Sequence, residues 1–233
     1  MTAVLFAHER PSVARAVCHV LRARGFDVES VRDGEAAARV LASRHFGALV
    51  VDVALPGRPG YELVEVARAE QKRAGRGADV VVLVASVFRK TSYKRRPARL
   101  YGADDYVELH HLGDMLPDKL DRHLGTRSPK HDEAERVATE AVLDIADARM
   151  EAETTDELAS LIIADVVLYN GDRIADTRTL AQARTALADD LDVATDLLRQ
   201  VQQARAETVD AAQAIEAAFT RLMRSMGRRE EAG

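Results

Sequence analysis

The 233-residue chain contains a single cysteine, Cys18, and no tryptophan. A lone thiol closes no internal disulfide and builds no cysteine-based zinc site, which points to a reducing, cytoplasmic setting. Cys18 sits at an apolar helix position, where a thiol is ordinary core. No stretch reaches about 18 uninterrupted apolar residues. The opening MTAVLFAHER has neither a basic segment ahead of a long apolar run nor a small-residue cleavage site, so secretion and membrane insertion are not expected. Proline is sparse and confined, all six lying at or before Pro129, and only Tyr169 and Phe219 are aromatic beyond that point. With 47% hydrophobic and 30% charged residues the chain is too apolar for wholesale disorder.

Charge divides the chain at the same place. Residues 1–127 hold 21 Lys/Arg against 16 Asp/Glu, a net of +5, whereas 128–233 hold 12 against 22, a net of −10. The change of texture at Arg127-Ser128-Pro129-Lys130 marks an expected boundary between a domain over 1–127 and another over 128–233.

In the first part, short β-branched runs alternate with helical periods. Ala3–Ala7, Asp27–Val31, Ala48–Val51, Val80–Ala85 and Asp105–Val107 read as strands. Between them Val13, Val17, Val20 and Leu21 recur at helical spacing, as do Ala36, Ala37, Val40 and Leu41, then Leu63, Val66 and Ala67, and finally Leu116, Leu120 and Leu124. Strict alternation implies parallel crossovers, and the Val80–Ala85 run is too continuous for a solvated face. The expected architecture is an α/β, five-stranded, parallel, doubly wound sheet.

In such a sheet the chemistry belongs at the carboxyl ends of the strands, where the first strand ends in His8-Glu9 and the third in Asp52. Two acids converging there suit a hard divalent cation with oxygen ligands, such as Mg²⁺. Asp52 lies among Val50, Val51, Val53, Ala54 and Leu55, and a carboxylate embedded in that run needs a partner.

VLFAHERP at the start, ALVVDVALPGRPGYEL around Asp52 and GADDY at Gly102–Tyr106 are three ordered segments that resemble the flavodoxin-like receiver domain of two-component response regulators, over about residues 1–125. The resemblance implies a phospho-accepting Asp52, a following Leu55-Pro56-Gly57 turn, Gly60 before the third helix, and Mg²⁺ bound weakly by Glu9 and Asp52. It implies a signalling protein, not an enzyme, partnered by a sensor kinase or another signalling protein. The pattern also departs from the family. The switch hydroxyl expected at the end of the fourth strand falls on Val84, with Ser86 reachable through a one-residue bulge. Tyr106 stands as the other switch candidate. The lysine that contacts phosphoryl oxygens falls on Leu109, followed by His110-His111. These departures favour a rival reading, a phosphorylation-independent pseudo-receiver scaffold.

Two further features stand out. Arg89, Lys90, Lys94, Arg95, Arg96 and Arg99 place six cations in eleven residues without an acid, interleaved with Phe88, Tyr93 and Tyr101. Such a patch seeks an anion: an acidic partner protein, the chain's own acidic half, or a nucleic acid or nucleotide, the last being the weakest alternative function. A solvated helix face is the plain alternative. His8, His110 and His111 lie at the ends of the first and fifth strands, and a histidine metal site there is weighed against loop histidines that tune a local pH response.

From Lys130 onward the pattern is helical. Val137, Ala141, Ile145 and Ala148 form one stripe. Thr154-Thr155-Asp156-Glu157 reads as a helix start, and Leu158–Tyr169 is apolar nearly all round and closes at Asn170-Gly171. That helix, which includes Ile162-Ile163, is expected at a bundle centre or a dimer interface. Leu180, Ala183, Leu187, Leu191, Ala194, Leu198 and Val201, then Ala212, Ile215, Phe219, Leu222 and Met226, satisfy either one long helix or two folded near Ala206–Thr208, with Thr208 as cap. The expectation is an all-α bundle or coiled coil that forms a homodimer. Its acidity repels a DNA backbone, so nucleic acid is not an expected partner of this half. Its one imidazole, His131, lies outside the stripes and argues against a phosphotransfer module.

Overall fold

A computed structural model describes residues 1–85, 100–127, 132–133, 135–141, 154–205 and 209–230. They group into two compact units, one of residues up to 85 and from 101 to 141, the other from 154 to 230. Ser86, the cationic cluster Arg89–Arg99 with Phe88 and Tyr93, His131, Ile145, Ala148 and Thr208 lie outside the described residues.

The first unit runs β1 (Ala3–Ala7), α1 (Pro11–Ala23), β2 (Asp27–Val31), α2 (Gly34–Ser43), β3 (His45–Asp52), α3 (Gly60–Ala74), β4 (Gly77–Ala85), β5 (Asp105–Glu108), a 3₁₀ turn (Leu109–His111) and α4 (Met115–Leu124). All four strand pairings are parallel and the order is β2-β1-β3-β4-β5, the doubly wound sheet that the alternation implies. β3 and β4 each begin three residues before their β-branched runs. His45 pairs with Gly77 and Phe46 with Ala78, so ladder pairing extends β4 through Gly77 and Ala78, residues of low β-propensity.

Residues alternate between the two faces of each strand. Val4, Phe6, Val50, Val82, Val84 and Val107 share one core with Val13, Val17 and Leu21 of α1 and with Leu116 and Leu120 of α4. Pro11 opens α1 at a position where its missing N–H costs no helical bond. Cys18 is buried in this core as expected, and burial pushes its thiol up despite nearby Arg22 and a bond to Ser30.

The first unit continues past Arg127. Arg24, only 3% exposed, donates to Glu135 Oε1 at 2.5 Å, Asp118 Oδ1 at 2.8 Å and Asp121 Oδ2 at 3.2 Å. Burial opposes its charge, but the bonds to Glu135 and Asp118 outweigh that and hold the guanidinium protonated. Gly113 admits the same segment: a Cβ there would lie 2.1 Å from Thr139 Oγ1. The stripe expected on Val137 is one residue off, with Val137 49% exposed and Ala138 4% exposed, because the segment turns Glu135, Ala138 and Thr139 inward.

In the second unit α5 (Thr155–Tyr169) starts on a full capping box, Thr154 accepting from Glu157 N–H while the Glu157 carboxylate takes the Thr154 N–H. Asn170 caps its end, its Nδ2 donating to Val166 O at 2.9 Å. Gly171 begins a further turn, α6 (Gly171–Ile174). Then follow α7 (Leu180–Ala186), α8 (Ala188–Arg205) and α9 (Ala211–Ser225). Residues 180–226 were open to one helix or two, but they carry three, because a break at Leu187 separates α7 from α8; α5 packs on α8 and α9, which also pack on each other. Asp210 caps α9 through bonds from Ala212 and Gln213 N–H. The stripe therefore begins on Ala211 rather than Ala212, which is exposed. The buried seam of Leu180, Ala183, Leu187, Leu191, Ala194 and Leu198 finds its partners inside the chain.

Candidate functional site

Parity and register assemble the site. His8 follows β1 on the face of Phe6, with which its ring stacks at 6.0 Å and 10°. Ala7 pairs with Val51, so the next residues along, His8 and Asp52, stand side by side, and Asp52 in turn pairs with Val84. A row of His8, Asp52 and Val84 thus crosses β1, β3 and β4 at the carboxyl edge of the sheet. His8 is fully buried and Asp52 is 1% exposed.

The partner that an embedded carboxylate requires is on hand. Asp52 Oδ1 accepts the Ala54 N–H at 2.9 Å, and Oδ2 lies 3.3 Å from His8 Nε2. His8 Nδ1 accepts the Arg10 N–H at 3.1 Å, which assigns the proton of the neutral ring to Nε2, on the side of Asp52. This contact escapes a reading by motif, which treats position 8 as half of an acidic pair. Strand parity was the available signal, since it puts His8 on the face of Phe6 and Asp52 on that of Val50.

Glu9 is half-buried beside His8, and its carbonyl accepts from Arg32 Nε at 3.1 Å. Glu9 and Asp52 both offer hard oxygens suited to Mg²⁺, but the third place is taken by an imidazole, a softer donor. The site fits Mg²⁺ with two carboxylates where an acid at position 8 would supply a third. Val84 is fully buried, so no hydroxyl faces Asp52 from β4 at its register partner. Leu109 lies in the core and carries no cation to the site. Tyr106 is half-buried on β5, its ring 5.4 Å from Lys119 Nζ. The sheet order keeps β1 and β5 apart, so His8 joins Asp52 while His110 and His111 stand near Glu108.

Gly60 holds α3 against this edge. A Cβ on it would come within 2.6 Å of Asp52 O and 3.1 Å of Val53 Cα, both backbone atoms that cannot swing away. Gly60→Ala is expected to cost about 1–3 kcal/mol by overpacking. Urea unfolding measures this, and an unchanged midpoint would show that α3 shifts freely.

Behind Tyr106, Asp105 takes Lys119 Nζ at 2.7 Å and His123 Nε2 at 3.0 Å. Burial raises its carboxyl, but the bonds from Lys119, His123 and the Tyr106 N–H win and hold it below the ordinary range. A depressed carboxyl stabilises the fold above its unfolded value near ~3.9 and loses that contribution as pH falls through the folded value. Asp105→Asn should therefore lower stability at neutral pH and narrow its gap to the parent protein below about pH 4, as followed by thermal unfolding across that window.

Residues 4–110 match the sequence profile of the response regulator receiver domain. This segment is a receiver domain. The chain is 32% identical over 126 residues to transcriptional regulatory protein TctD of Salmonella typhimurium, covering 52% of this chain and 53% of that protein. It is 28% identical over 153 residues to sensory transduction protein RegX3 of Mycolicibacterium smegmatis, covering 66% and 62%. The chain thus spans less than two thirds of the length of these curated relatives. Among solved structures, the receiver domain of sensor histidine kinase PA1611 from Pseudomonas aeruginosa, with a magnesium ion in its active-site cleft, aligns at 22% identity and a TM-score of 0.44, over 54% of this chain and 98% of that one. Receiver domains are signalling modules. Among the described residues no helix is long and apolar enough to cross a membrane.

Proposed function

We propose that this receiver domain accepts a phosphoryl group on Asp52 and that the chain is a two-domain signalling protein, its helical unit serving protein–protein interaction. The observation that carries this reading is the seating of Asp52 at the end of the central strand, Oδ1 fixed by the Ala54 N–H and Oδ2 facing His8 Nε2 at 3.3 Å. In the reaction a lone pair of Oδ2 attacks the phosphorus of a phosphodonor, the bond from phosphorus to its leaving group breaks, the leaving group departs with that electron pair and takes up a proton, and an acyl phosphate remains. The Ala54 N–H keeps the carboxylate in one orientation. The His8 Nε2–H lies where it donates to an oxygen of the incoming group, a charge-assisted bond in a site with little water. Glu9 and Asp52 would hold Mg²⁺, which when bound would supply neutralisation of the negative charge on the phosphoryl oxygens.

A sensor kinase or phosphotransfer protein is the proposed donor. The buried seams of α5, α8 and α9 are used within the unit, so a homodimer would use the outer faces of these helices. Among the described residues of the unit, Val193 and Val209 are the exposed large hydrophobics. A second reading, a scaffold that works without phosphorylation, is favoured by Val84 and the buried Leu109, which leave the described site without hydroxyl or lysine.

Intact mass after incubation with Mg²⁺ and a small acyl phosphate separates the two. One phosphoryl adduct on the parent protein, and none on Asp52→Asn, is the expected result. No adduct on either protein, together with no change on adding a beryllium fluoride mimic, supports the scaffold. An adduct that survives Asp52→Asn places the acceptor elsewhere.

A further inference from the structure

The site above leaves His110 and His111 without a role. They occupy a 3₁₀ turn that follows β5 directly, and Glu108 is the last residue of that strand. Neighbouring residues on a 3₁₀ turn point about 120° apart, yet the two imidazole centroids are 4.2 Å apart and tilted by 42°. Both rings therefore fold to one side of the turn, where His110 Nε2 meets Glu108 Oε2 at 3.2 Å. One ligand atom from each of Glu108, His110 and His111 falls within 4.8 Å of the others. Asp114 follows at the start of α4, both its oxygens 3.2 Å from His111 Nδ1, where they can orient that ring. All three ligand side chains are about a third exposed, so an ion has a route in from solvent.

We propose that Glu108, His110 and His111 bind a divalent transition metal ion of the zinc class. Two imidazoles and a carboxylate match the nitrogen and oxygen donors such ions select, and do not match Mg²⁺. Tetrahedral ligands at ~2.1 Å from an ion lie ~3.4 Å from one another. The Glu108–His110 pair is already at that spacing, and the His111 ligand atom, within 4.8 Å of both, would close on it by side-chain rotation. Three protein ligands leave one position for water or a partner's side chain. The bound ion would pin the end of β5 to the turn before α4. This site is separate from the Asp52 site: β5 and β3 are separated by β4, and the proposal does not depend on phosphorylation.

The test uses the full chain without a histidine tag. Zn²⁺ is titrated in competition with a chromophoric chelator, and Co²⁺ uptake is read from its visible d–d absorption. With excess Mg²⁺ present to fill the weak Glu9–Asp52 site, one tightly held ion per chain is expected, with His110→Asn and His111→Asn each weakening Zn²⁺ by at least about tenfold and the double variant removing the Co²⁺ bands. Asp52→Asn should bind as the parent does. Because these rings are partly exposed, unfolding curves of the variants in chelator should overlay the parent's, separating lost ligation from lost fold. Absence of uptake by the parent, equal uptake by the double variant, or loss of the bands in Asp52→Asn would each overturn the assignment.

Discussion

Replacing Arg24 with methionine is expected to cost the first unit about 3 kcal/mol or more, the typical price of breaking a buried ion pair from one side. The guanidinium side chain is 2% exposed, and Asp121 and Glu135 are 13% exposed in their side chains, so removing the cation leaves carboxylates facing each other with little water to screen them. The methionine fills the volume, which confines the effect to charge and hydrogen bonding. Urea unfolding at neutral pH measures it. Adding Glu135→Gln to Arg24→Met should recover part of the loss, because one of the uncompensated charges goes with it. A loss below about 1 kcal/mol would show that solvent reaches the cluster and that the network is worth no more than a surface pair.

The second large effect concerns position 8. His8→Asp puts a second carboxylate at a fully buried position that neighbours Asp52 across β1 and β3, where two like charges with little water between them destabilise each other. The variant is expected to be less stable than the parent without metal and to regain that loss in millimolar Mg²⁺, since three oxygen donors then surround one site. A ligand at one hundred times its Kd adds about 2.7 kcal/mol to the folded state, and the variant's melting temperature should rise with Mg²⁺ much more than the parent's. Equal Mg²⁺ responses in the two proteins would mean that position 8 does not face the metal and that the imidazole has another task.

Both predictions turn on contacts across the fold, and they mark where the sequence stops being informative. The five strands were legible because parallel strands covered on both faces leave continuous β-branched runs, as in Val80–Ala85, and because Asp52 stands out as an acid inside one. The helix at Thr155–Tyr169 was legible from its cap residues at both ends and its nearly all-round apolar content. What could not be read was which buried side each element meets. The apolar helix satisfied a bundle centre and a dimer interface equally, and the seam from Leu180 to Met226 satisfied one helix or two where the structure has three, because periodicity reports a buried stripe without naming its partner. The boundary at Arg127 followed charge and proline content, whereas Glu135 and Thr139 join the first unit through Arg24 and Gly113, residues more than one hundred and about 26 positions away in the chain.

The sequence by itself determined the parallel α/β architecture, the placement of Asp52 at a strand end and the helical character of the second half, since each follows from local period and residue type. The tertiary structure alone decided that His8 is the partner of Asp52, that Arg24 gathers three acids and that Glu108 rather than His8 stands with His110 and His111. Those pairings depend on strand order and register, which bring together residues far apart in the chain, and no local pattern encodes that distance.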